Sequence, residues 1–158
     1  MGAGILPITF YKGKIYFLFG RETLGIWKDS GLWSDFGGAK DGKETYKETA
    51  IREGWEESDG VLGNKSIIRD LIENNTIDTI TYRGYKTYII LIDYNKKMIY
   101  DFRERFKKIK KKHPDRIAKN GLYEKDRIKW FEYNEVKKNI EKFRPYYRGI
   151  IKHLLKKF

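Results

Sequence analysis

The stretch Gly37–Gly60 reads GGAKDGKETYKETAIREGWEESDG and carries at its centre Arg52-Glu53-Gly54-Trp55-Glu56-Glu57. Residues three and four apart share one face of a helix. Glu53, Glu56 and Glu57 therefore form one acidic cluster about one turn long. Carboxylates packed that closely repel one another. A hard divalent cation such as Mg²⁺ or Mn²⁺ removes the repulsion, because both prefer oxygen ligands. The alternative reading is a solvated acidic helix face, and the surrounding spacing decides between the two.

Gly38 is followed by five residues and Glu44, then by seven residues and Arg52-Glu53, then by two residues and Glu56-Glu57. This pattern resembles the signature of the Nudix hydrolases, which fixes seven positions over about two dozen residues. Six are met here, by Gly38, Glu44, Arg52, Glu53, Glu56 and Glu57. Two positions depart from it. An apolar slot holds Gly54, which lowers helix propensity by about 1 kcal/mol relative to Ala and allows close approach of a neighbouring strand or side chain. The closing Gly slot holds Asp59, with Gly60 one place later, which places the helix stop one residue further on.

The resemblance implies an α/β fold, an α/β/α sandwich with a mixed β-sheet flanked by helices. It implies hydrolysis of a nucleoside diphosphate linked to a group X, with Mg²⁺ or Mn²⁺ as cofactor. By the same resemblance Glu53, Glu56, Glu57 and the Gly37 carbonyl hold the metal. Arg52, with Glu44, orients those ligands from behind. Glu53 or Glu57 is a candidate general base. Glu124 is another, because family members carry a Glu at that offset before a Trp, here Trp130. Glu104 and Asp126 are weaker alternatives. Arg21, Trp33 and Lys40 are the expected substrate contacts. Arg21 also reads as a surface salt bridge, and Trp33 as a core residue.

The 158 residues suffice for one domain with a real core, spanning 1–158. A 40% hydrophobic and 16% aromatic content excludes a disordered chain. There is no cysteine, which rules out disulfides and thiolate-bound zinc and suits a reducing, cytoplasmic setting. No apolar run reaches the length of a membrane span. The N-terminal MGAGILPITF lacks the basic region of a secretory leader, and Leu6 fills the Ser/Thr slot of a myristoylation motif.

The 34 basic and 22 acidic side chains leave a net charge of +12, which attracts polyanions. Capped RNA, nucleotides and diphosphoinositol polyphosphates all qualify as partners, so mRNA decapping, with a large-DNA-virus type in view, stands beside a housekeeping pyrophosphatase. FRPYYRGII, from Phe143 to Ile151, resembles a segment of viral decapping proteins. An RNA-binding module without catalysis is a third reading, disfavoured because all four signature glutamates are present.

Along the chain, Ile5–Tyr11 and Lys14–Phe19 read as a hairpin about Lys12-Gly13, and Gly25–Gly31 as a loop. Leu32–Phe36 reads as a short strand and Lys43–Ser58 as the signature helix. Lys65–Glu73 has helical spacing, Thr76–Arg83 alternates as a strand, and Lys86–Tyr94 reads as a central strand. Lys97–Lys112 is an amphipathic helix with a basic outer face, an apparent insertion. That face reads as a polyanion-binding surface, a partner-docking face or simply a solvated one. Arg127–Tyr133 reads as a strand, Asn134 as the cap of a helix over 135–139, and Phe143–Phe158 as the last helix.

Overall fold

The computed structural model describes residues 1–25, 27–119 and 121–158. Ile26, within the expected loop Gly25–Gly31, lies outside the described residues. The chain begins with β1 (Gly2–Tyr11) and β2 (Lys14–Glu22), joined by Lys12-Gly13, both with positive φ. The two short strands β3 (Trp33–Ser34) and β4 (Phe36–Ala39) lead into α1 (Tyr46–Glu57). Then come α2 (Lys65–Asn75), β5 (Thr76–Tyr82), β6 (Tyr85–Leu91) and α3 (Lys96–Lys112). The chain closes with β7 (Lys125–Glu132), α4 (Tyr133–Lys138) and α5 (Arg148–Lys157).

The strands form one mixed sheet in the order β3-β2-β1-β6-β5, with β4 also on β1 and β7 also on β2. The central strand is β1, not the Lys86–Tyr94 segment, whose strand β6 lies between β1 and β5. Among the described strands only the β1–β6 pairing is parallel, and an isolated parallel bridge joins Trp33 to Phe143. Eight consecutive residues of β1 are buried, as expected of a strand covered on both faces. Pro7 is tolerated there because β4 pairs with Gly2–Ile5 and β2 with Ile8–Tyr11, leaving Leu6 and Pro7 between them on that side.

Alternation along the strands sorts the core into two layers. Ala3, Ile5, Leu18 and Ile90 face Ala50, Ile51, Ile68 and Phe102 of α1, α2 and α3. Leu6, Ile8, Phe17 and Phe19 face Val136, Ile150, Ile151 and Leu154 of α4 and α5. The expected sandwich is present, and the apolar stripe of the basic helix α3 belongs to its first layer.

Several boundaries differ from the sequence reading. α1 starts at Tyr46, because Thr45 caps it: the Thr45 hydroxyl accepts from the Glu48 amide at 3.1 Å, and the Glu48 carboxylate accepts from the Thr45 amide at 3.1 Å. Asp59 itself takes the left-handed conformation of the closing glycine, with φ +50°, and Gly60 repeats it at +75°. The helix stop is therefore not displaced. Asn134 lies inside α4, and Glu132 is the cap, accepting from the Asn134 amide at 3.1 Å. The last helix cannot start at Phe143, because Pro145 drives Arg144 out of the helical region, to ψ 138°. Instead the Arg144 amide donates to the Trp33 carbonyl at 2.9 Å, tying this segment to the sheet.

Gly54 answers its own anomaly. A Cβ there would lie 2.8 Å from Cδ1 of fully buried Ile5. Alanine for glycine inside a helix ordinarily stabilises by about 1 kcal/mol. Here Gly54→Ala is expected to destabilise by about 1–3 kcal/mol through overpacking, and Ile5→Val in the same chain to recover part of the loss. Chemical denaturation checks both. A stabilised Gly54→Ala would contradict the packing described.

Candidate active site

The signature stretch folds as a strand, a loop and a helix that meet at one side chain, Arg52. Its Nε and Nη2 donate to the two oxygens of Glu44, each at 2.9 Å. Nη1 donates to Glu53 at 2.8 Å and to Glu56 at 3.2 Å, and Nη2 also donates to the Ala39 carbonyl at 3.0 Å. Glu44 is further held by the Asp41 amide and the Thr49 hydroxyl. Its pKa falls to about 2, first because of Arg52. Arg52 thus ties Glu44 to Glu53 and Glu56, and Glu48 is spent on the helix cap.

α1 turns its acids toward a cleft of about 490 Å³. Glu53 and Glu57 line it, together with Gly37, Gly38 and Ala39 of β4. Gly38 is needed there, because a Cβ would meet the Glu53 carboxylate at 2.7 Å. Glu124 lines the opposite wall, placed by its own carbonyl, which accepts from the Thr23 amide at 2.9 Å and the Thr23 hydroxyl at 2.8 Å. Glu56 stands behind this wall, against Gly121 and under Arg52. Among the described residues no three His, Asp or Glu side chains are grouped so as to hold a metal as they stand. Arg52 draws Glu53 and Glu56 to itself instead.

Burial dominates the electrostatics. It raises the pKa of Glu53 to about 7 against the pull of Arg52, and raises those of Glu56 and Glu124. Glu57 is raised well above the usual carboxylate range, first by burial and then by Glu22, Glu124 and Glu53, with Lys125 opposing. Glu57 Oε2 is buried with no hydrogen-bond partner. An orphaned carboxylate oxygen, beside other carboxylates at a cost in solvation, fits a hard cation with oxygen ligands.

Three expected substrate contacts lie elsewhere. Arg21 Nε pairs with Asp126 at 2.8 Å, which also removes Asp126 as a candidate base. Trp33 is buried in the core against Phe131, so it cannot stack on a substrate base. Lys40 Nζ sits 4.1 Å from the Tyr46 ring centroid. Glu104 lies on α3 near Lys107. In their place the cleft presents Glu22, Trp27, Lys28, Asp29 and Arg144. Arg144 binds Glu22 at 2.5 Å and Asp29 at 3.0 Å. Strand alternation carried a signal for Glu22, since Arg21 and Glu22 must face opposite ways. Lys125 carried none. It is fully buried, donates to Ser34 Oγ at 3.1 Å, and fits only because Gly20 leaves space for its Cδ.

No family model matches the chain. Over 58 residues, 35% of this chain, it is 50% identical to an uncharacterized protein of Acanthamoeba polyphaga mimivirus, and the match spans 18% of that protein's length. Among solved structures it is similar to the Nudix hydrolase RenU of M. smegmatis, with a TM-score of 0.58 and 15% identity over 98% of this chain and 83% of that one. A C. elegans Ap4A hydrolase follows at 0.56 and 16%, over 98% and 95%.

The chain has the Nudix fold.

A third structure with this fold is a bifunctional NMN adenylyltransferase/ADP ribose pyrophosphatase from Francisella tularensis, complexed with AMP and a Mn ion. It matches with a TM-score of 0.59 and 17% identity over 99% of this chain and 41% of that one. In the Nudix fold as built here, the sheet edge at Gly37–Ala39 and the acidic face of α1 form one wall of the cleft.

The raised carboxylates make a prediction about pH. Glu53 and Asp59 reach about 7 and Asp35 about 6, each raised by burial above the ordinary 4.5 of a Glu and 3.8 of an Asp. Between these limits the folded chain holds protons that the unfolded chain has released, so stability falls as pH rises. Glu44 acts in the opposite sense, but below 4.5. The melting temperature of the metal-free protein should therefore decline from about pH 5 to about pH 8, and Glu53→Gln should flatten part of the decline. A melting temperature that rises over this range would contradict the burial described.

Proposed function

We propose that this chain hydrolyses a phosphoanhydride bond in a nucleoside diphosphate linked to X, using Mg²⁺ or Mn²⁺. The observation that carries the reading is the orphaned, buried oxygen of Glu57 in a cleft shared with Glu53 and Glu124. Glu53 and Glu57, with the Gly37 carbonyl, are the groups of the cleft that would hold the cation, joined by Glu56 once Arg52 releases it. Bound there, it would neutralise phosphate charge and acidify a water ligand.

The chain's own residues do the rest. Arg52 keeps Glu53 and Glu56 oriented while Glu44 keeps Arg52 in place. Lys28 and Arg144, the latter paired with Glu22 and Asp29, line the cleft and are the cations that would meet the phosphates. Glu124 makes no ion pair among the described residues, and burial raises its affinity for a proton. We assign it the general base. The attacking water's proton passes to Glu124 as its oxygen bonds to phosphorus. The bridging P–O bond then breaks, and its electron pair leaves with the departing phosphate.

Relatives of this fold named for Ap4A and for ADP ribose supply the first substrates to try. Capped RNA is a finer reading, favoured by one feature. Lys107, Lys108, Lys110, Lys111 and Lys112 are all exposed on α3, and the chain runs on from α3 to the loop bearing Glu124.

A panel of Ap4A, ADP-ribose, dGTP, diphosphoinositol phosphates and capped RNA, run with each metal, tests the reading. Metal-dependent release of phosphorylated products from at least one is expected, and none from any would refute it. Glu57→Gln and Glu124→Gln should each lower turnover by at least about 100-fold. Mn²⁺ binding, followed by spin resonance, should be lost in the first and retained in the second. Turnover within about tenfold of wild type in both would contradict these roles.

A further inference from the structure

Beyond the acidic cleft lies a second hollow, of about 290 Å³. The two adjoin across the ridge Gly38–Ala39 and share the Arg144 side chain. Their walls differ in sign. The cleft carries five carboxylates, from Glu22, Asp29, Glu53, Glu57 and Glu124, against Lys28 and Arg144. The hollow carries Arg83 and Arg144 beside Tyr85 and Tyr146, and no carboxylate among the described residues; Arg144 is already paired with Glu22 and Asp29 of the cleft, which leaves Arg83 as the hollow's unpaired cation.

The frame of the hollow is backbone. The Gly2 amide donates to the Gly84 carbonyl at 3.0 Å, and the Lys40 amide to the Met1 carbonyl at 2.9 Å. These bonds tie the β5–β6 turn, the start of β1 and the end of β4 into one rim. Arg83 stands at the tip of that turn with φ +48°, exposed and without an ion-pair partner among the described residues. Arg144 approaches from the other side, its guanidinium 4.8 Å from the Tyr146 ring centroid.

We propose that this hollow binds the far arm of a two-armed substrate, and that the arm is itself anionic, as a second nucleotide is. The inference rests on the phosphoanhydride reading of the adjoining cleft. A substrate with its anhydride over Glu53 and Glu57 has the ridge at Gly38–Ala39 beside it. An arm crossing that ridge passes Arg144 and reaches Arg83. Guanidinium groups grip phosphate through paired, charge-assisted hydrogen bonds. Arg83, exposed and with its guanidinium 5.2 Å from the Tyr82 ring centroid, has all its charge to offer a phosphate and little to gain from a neutral sugar.

The test compares two ligands that share an adenosine diphosphate end. Ap4A has a nucleotide as its far arm, and ADP-ribose has an uncharged sugar. Equilibrium titrations with each, in Ca²⁺, are made on the wild type, Arg83→Asn and Arg83→Lys. Asn tolerates the left-handed turn, so the fold is kept. The preference for Ap4A over ADP-ribose should fall at least about tenfold in Arg83→Asn, and Arg83→Lys should recover part of it. An unchanged preference, an equal weakening of both ligands, or a wild type that binds neither would overturn the proposal. Arg83-dependent Ap4A binding with no turnover in Mg²⁺ or Mn²⁺ would support the hollow and refute the catalytic reading instead.

Discussion

One guanidinium holds this site together. Arg52 is bonded at once to the loop through Glu44, to the sheet edge through the Ala39 carbonyl, and to the acidic face of its own helix through Glu53 and Glu56. A network of this kind differs from an isolated surface ion pair, whose net worth is small. Its partners are largely shielded from water, and each bond restrains the others. Apolar packing of Phe36 against Ala50 and Ile51 brings β4 and α1 together, and Arg52 adds the polar anchor that also ties in the loop through Glu44.

The anchor makes it possible to crowd like charges. Glu53 and Glu57 are buried on one helix face, with Glu124 opposite and Glu22 nearby. Such an arrangement is unstable on its own, and burial expresses this by pushing their pKa values upward. Two cations offset part of the cost, the fully buried Lys125 and Arg144, the latter paired with Glu22 and Asp29. The remainder favours the protonated carboxyls, and under the proposed function a divalent ion would relieve it. Glycines supply the space: Gly38 for the Glu53 carboxylate, Gly20 for the Lys125 stem.

Much of this was legible in the sequence because it is local. The acid spacing sits within one helix, and Arg52 reaches Glu44, Glu53 and Glu56 within a dozen residues. Period-two and helical patterns located the strands and helices, and Gly54 announced the close approach of Ile5. What escaped was made by distant pairings. Arg144 reaches Glu22 and Asp29 from more than a hundred residues away. Lys125 is buried only because of Gly20 on the paired strand. Trp33 and Arg21 are ambiguous in any strand; the register makes them cross-strand partners on one face, and contacts from β7, Phe131 for one and Asp126 for the other, separate their roles. The start of the last helix was misplaced because the apolar spacing ran through Pro145, whose effect on Arg144 outweighs it.

We propose that the glutamates of α1 exist to grip a divalent ion. Anomalous diffraction from crystals soaked in Mn²⁺ tests that proposal without reference to any substrate. A manganese peak in contact with the carboxylates of Glu53, Glu56 and Glu57 is expected, and its loss in Glu57→Gln. A cleft without manganese while the ion binds elsewhere on the chain would contradict it.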